Sequence, residues 1–290
     1  MPDEPGREAA SPSTRVESDL DHGGRWTSLW LAGRQWLWLR DDPARASVAP
    51  GDAFVDAGGL EECVPTIRGT PDHGAAWAQP WRRAGGDDVV ECAEFQLRRR
   101  IDCLPEQIIA SYRLSAEPGF RFIWAAHALL DLTTGARLSM PTGAKVRVYP
   151  EAAPHVADLL GGWPPNTPYL VGAWPDPFGV CLDALGPIDG TAIGAVVPDV
   201  RTATVTDAGN SIEMRLVACP DIPTAVALWR NLGGFGHPEP YRSIGVEPML
   251  GRVFDLATAG PGDAVTVGDS GIVEWALHIT SSGRGPGTRV

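Results

Sequence analysis

FRFIWAAHALLDL, residues 120–132, is a short apolar run with a single histidine, His127, near its middle. Aromatic and branched residues dominate it, and a run of that length and character reads as a buried strand. Upstream, 108–114 has the same character and is separated from it by a Pro-Gly turn. Further out, RWTSLWL (25–31) and RQWLWL (34–39) flank an Ala-Gly turn and predict a hairpin. Residues 89–100 alternate apolar and polar over part of their length. Shorter strand candidates are 146–149, 179–182, 192–197, 203–206, 212–217, 243–246 and 272–279. Glycine and proline punctuate the chain throughout. Many short strands joined by such turns predict a mostly β fold, a sandwich or a barrel. Helical periodicity is weak; 152–160 and 223–232 are the two short helices expected. The stiff Pro/Gly-rich loop 161–168 is expected to pack near a functional face.

Composition narrows the function classes. The chain has 290 residues, 43% of them hydrophobic, with eleven tryptophans, which suits one large core. No composition shift marks a linker. A single domain over 21–280 is expected, between a flexible acidic tail (1–20) and a loose tail (281–290). The net charge of −12 disfavours nucleic acid and anionic membrane surfaces as partners. Five scattered cysteines without a CxxC suit a reducing compartment. With no signal-like N-terminus and no long apolar run, a cytoplasmic protein is expected, monomeric or a homodimer.

Three residues carry the candidate chemistry. His73 lies in DHGAAWAQPW (72–81), His127 in the opening run, and Glu247 in YRSIGVEPMLGR (241–252). Histidine and carboxylate together can move protons near neutral pH. His73, beside Trp77 and Trp81, could hydrogen-bond a sugar hydroxyl while an indole stacks on the ring. Each of the three also has an ordinary reading: a structural loop histidine, a satisfied core histidine, and a glutamate paired with Arg242 or Arg252. Arg68, Asn166 and Asp183 could bind hydroxyls, or could simply be surface residues. Glu61 and Glu62 precede His73 closely enough to line the same cleft. Metal ligation lacks an HxH or HExxH spacing, and phosphate-loop, GxSxG and Rossmann signatures are absent from the sequence.

In this order and context the three signatures resemble the aldose 1-epimerase, or galactose mutarotase-like, superfamily. GGRWTSLWLAGRQWLWL (23–39) resembles that family's opening strands. GGLEECVPTIRGTPDHGAAW (58–77) resembles the loop leading to its first histidine. FIWAAHALLDL and GVEPMLGR resemble the strands bearing its second histidine and its glutamate. The resemblance covers roughly 23–280 and implies a large antiparallel β super-sandwich. It also implies a cofactor-independent, metal-free epimerase that interconverts sugar anomers. In that scheme Glu247 is the base, His127 the acid and His73 a binding or polarising group, with Trp77, Trp81 or Trp174 walling the cleft. Where better-known mutarotases carry a Pro-Tyr-Phe-Asn-like stretch, this chain has Ala128-Leu129-Leu130-Asp131, which points to a modified sugar from a specialised pathway. Two alternatives stay open: a sugar-binding or regulatory protein without turnover, and an acid–base isomerase or lyase acting on a specialised substrate.

Overall fold

The computed structural model describes residues 14–236 and 240–281. Two antiparallel sheets form a sandwich, as the turn-punctuated strand pattern predicts. The larger has ten strands. Its path runs Arg15–Asp19, Arg25–Leu31, Leu60–Cys63, Trp124–Ala128, Arg242–Leu250, Thr224–Leu232, Ala192–Pro198, Lys145–Val148 and Leu170–Ala173, with Arg34–Gln35 paired off the path. The smaller has eight: Arg137–Ser139, Thr202–Asp207, Asn210–Ala218, Ile272–Ser281, Gln107–Ala116, Phe95–Leu104, Asp87–Glu91 and Arg82–Ala84.

The two sheets bury themselves differently. Along Gln107–Ala116 buried and open positions alternate, so one face meets the core and the other meets solvent. Along Arg242–Leu250 every residue after Arg242 is buried. One face of that strand supplies Ile244, Val246 and Leu250 to the core between the sheets, against Leu97, Ile108, Leu114, Leu277 and Ile279. The other face supplies Met249 to a second apolar cluster, with Ala125, Val196, Ala225, Ala227 and Tyr149, under the loop residues Ile67 and Val253. The large sheet is thus roofed by loops on the face turned away from the sandwich core. That roofed face carries the candidate site.

A buried polar cluster ties the sheets together. Arg99 is wholly buried and reaches Glu62 Oε1 at 2.9 Å and Asp88 Oδ2 at 3.1 Å. Tyr112 Oη and Trp124 Nε1 donate to the same glutamate, at 3.0 and 2.8 Å.

Several expectations change. Residues 223–232 form a central strand, Thr224–Leu232, rather than a helix; burial on both faces erases the alternation that would have marked it. Arg15–Asp19, expected within the flexible tail, is a strand paired with Arg25–Leu31. Residues 1–13, 237–239 and 282–290 lie outside the described residues. The expected strand at 179–182 is a 3₁₀ turn and loop. The 152–160 helix is present, as Pro154–Leu159. Among the described residues no helix is long and apolar enough to cross a membrane.

Candidate active site

Strand pairing brings His127 and Glu247 together. Ala125 stands opposite Met249, and Leu129 bridges to Gly245. The same register sets His127 opposite Glu247, and residues two apart share a face. The His127 Nδ1 atom lies 2.8 Å from Glu247 Oε1. His127 is 8% exposed and Glu247 2%. Burial works to lower the histidine's pKa, but the adjacent carboxylate outweighs it and the net pKa is raised. The contact with Glu247 thus favours the charged form of His127. Glu247 Oε2 is buried without a hydrogen-bond partner among the described residues. A buried acceptor left unpaired costs stability, and such a group in a cavity wall is a place for a ligand donor. Gly245 makes the arrangement possible: a Cβ there would stand 2.6 Å from Glu247 Oε1.

His73 arrives on a tight loop. Its φ is 59°, in the left-handed region that non-glycine residues rarely adopt. The loop is pinned by His73 N to Ile67 O at 2.7 Å and Ala75 N to Val64 O at 2.7 Å. Gly74 packs so closely on Val64 that a Cβ would meet its carbonyl oxygen at 2.1 Å. The imidazole stacks on Phe54, ring centroids 3.5 Å apart, and meets the His127 ring edge-on at 5.2 Å. Burial lowers the His73 pKa, only partly countered by Asp72, with Nδ1 3.3 Å from Asp72 Oδ1. One histidine is thus biased to the neutral form and the other to the charged form, the division an acid–base site needs.

The three residues line one cavity of about 550 Å³. Arg68 also lines it and pairs with Asp72 at 3.2 Å. The other sequence candidates lie elsewhere. Trp77 is buried behind Phe54, its Nε1 donating to Asp72 O at 3.0 Å, so it backs the wall without forming it. Trp81 belongs to the core under the Arg99 guanidinium, and Trp174 is core as well, because large indoles bury most area there. Asn166 is exposed in the 161–168 loop, which folds on itself through Trp163 Nε1 to Thr167 O and contributes nothing to the cavity wall. Asp183 sits outside the cavity, grouped with Asp176 and Cys181. Glu61 is held by Arg45 at 3.0 Å, and Glu62 by Arg99; neither reaches the cavity.

Sequence reasoning missed Phe54, Asp56, Tyr149, Trp229, Tyr241 and Phe254, all of which line the cavity. Asp56 accepts a hydrogen bond from the Tyr241 hydroxyl, and the Arg40 guanidinium lies over the Tyr241 ring at 4.9 Å. In sequence, Tyr149 ends the expected strand 146–149, Tyr241 opens the Glu247 signature and Trp229 lies in the segment expected as a helix; nothing local marks any of them as facing a cavity.

The same architecture recurs in solved structures. Slr1438 from Synechocystis sp. PCC 6803 superposes with a TM-score of 0.68 at 14% identity, covering 96% of this chain and 94% of its own. A candidate aldose 1-epimerase from Escherichia coli K12 gives 0.68 at 13% identity, covering 94% and 97%. A galactose mutarotase-like protein from Lactobacillus casei ATCC 334 gives 0.58 at 14%, covering 94% and 98%. The fold is galactose mutarotase-like. By sequence the chain matches no family model and no curated relative. At these identities the likeness to mutarotase-like structures concerns the fold, and the chemistry rests on the site itself.

Proposed function

We propose that this protein interconverts the anomers of a cyclic hemiacetal, a lactol, by acid–base catalysis, as an aldose 1-epimerase does. The observation that carries the reading is the His127–Glu247 pair, set beside His73 on the roofed face of a mutarotase-like sheet. Glu247 Oε2, without a hydrogen-bond partner among the described residues, takes the proton of the anomeric hydroxyl. His127 Nδ1 faces Glu247, so Nε2 gives its proton to the ring oxygen. The C1–O5 bond breaks as C1=O forms, C1 rotates about C1–C2, and closure returns both protons. His73, biased to the neutral form, binds or polarises the substrate. This chain of steps is redox-neutral and consumes nothing. The fold of the candidate epimerase from Escherichia coli supports the reading.

The test is anomer exchange by NMR over a panel of free sugars, with Glu247→Gln as control. Turnover that Glu247→Gln removes is the expected result. Sugar binding without turnover on any substrate would replace this reading with a carbohydrate-binding role.

A further inference from the structure

The roofed face carries an aromatic platform beyond the proton-transfer pair. Trp229 stands opposite Gly194 on one neighbouring strand and Gly245 on the other. Gly245 and Glu247, two residues apart, share a face, so Trp229 shares that face with the catalytic pair. Both residues directly opposite it are glycines, and Trp229 is the one residue of its strand left half-buried. The indole is held by Nε1 donating to Ser243 Oγ at 3.0 Å and by a T-shaped contact with Phe235 at 5.1 Å. The row continues past Gly194, whose carbonyl accepts from Tyr149 N at 3.0 Å, to Tyr149 packed on Phe254 at 4.6 Å. Trp229, Gly194, Tyr149 and Phe254 line the same cavity as His127 and Glu247.

The cavity is long as well as aromatic. From the strand of His127 to the strand that leads into Tyr149 there are four inter-strand steps. At ~4.8 Å each, that is about 19 Å, well beyond one pyranose ring. A volume of about 550 Å³ suits a ligand larger than one hexose. The lining carries five carboxylates (Asp42, Asp56, Asp72, Glu151, Glu247) against two guanidiniums and the imidazoles of His73 and His127. Both guanidiniums are occupied, Arg68 by Asp72 and Arg40 by the Tyr241 ring. That balance favours an uncharged guest over a phosphorylated one.

We infer that the substrate is a neutral lactol carrying a second ring, of reducing-disaccharide size, with the reducing ring over His127 and Glu247 and the second ring stacked on Trp229. The inference rests on the proposed epimerase reading for its chemistry and on the cavity alone for its shape. The experiment compares anomer exchange of maltose, cellobiose and lactose with that of glucose and galactose. Alongside it, calorimetry measures binding of the same sugars to the Glu247→Gln protein. The expected result is a kcat/KM preference for at least one disaccharide of about tenfold, a ratio that Trp229→Ala, and separately Gly194→Val, cuts by a similar factor. Monosaccharides turned over as fast as all three disaccharides, or a preference unchanged in both folded variants, would overturn it. If no sugar turns over yet disaccharides bind more tightly than monosaccharides, the epimerase reading falls and the extended site stands. If neither turnover nor tighter disaccharide binding is found, both fall.

Discussion

Glu247 and His127 are each intelligible only through the other. A carboxylate buried in an apolar strand is costly alone, and a buried imidazole tends to neutrality. Placed 2.8 Å apart, they raise the histidine's pKa and favour its charged form. Glu247→Gln should lower turnover by about 10²–10⁴-fold, read as the anomer-exchange rate. It should also move His127. With the carboxylate gone, burial dominates and the His127 pKa drops, which NMR titration of the imidazole would show; an unmoved titration would sink the pairing. Linkage follows the same sign. A histidine whose pKa is raised by folding contributes stability that is fully present below its unfolded value of ~6.5 and is lost as pH rises through the folded value. Wild type should therefore lose stability to urea as pH climbs through that window, and Glu247→Gln should lose less.

At the scale of the element, the strand Arg242–Leu250 is built around one absent side chain. Gly245 leaves room for the Glu247 carboxylate and lies close to Trp229 Cβ, which a Cβ at 245 would meet at 3.0 Å. Gly245→Val should fold, since valine suits a central strand, yet lose most turnover by displacing Glu247. Circular dichroism and anomer exchange together separate the two effects; full activity in the folded variant would refute the packing argument. The neighbouring strand Thr224–Leu232 teaches why such features are hard to read. Buried on both faces, TAVALWRNL lacks the two-residue alternation of a half-exposed strand, and its apolar spacing mimics a helix. Gln107–Ala116, with one open face, was legible from sequence.

For the molecule as a whole, Arg99 is the joint between the layers. It satisfies Glu62 and Asp88 together in the sandwich interior. Arg99→Met would leave Glu62 buried without its cation and Asp88 with Arg83 alone. Breaking a buried pair from one side costs about 3–5 kcal/mol, and the urea midpoint should fall accordingly. Glu62 lies next to Glu61, whose strand pairs with that of His127, so the same variant should also lower turnover through the sheet. A midpoint within error of wild type would show that water reaches Glu62.

The sequence by itself determined the β class, most strand positions and the three proton-transfer candidates. Period-two patterning and Gly/Pro turns are local signals, and histidine and glutamate are chemically distinctive wherever they stand. Only the tertiary structure decided which aromatics face the cavity. Trp81 and Trp174 went to the core, while Phe54 and Trp229 line the site. That choice depends on strand register and on which face each strand turns to the loops. Both are set by pairing between segments far apart in the chain, such as Leu129 with Gly245 and Trp229 with Gly194.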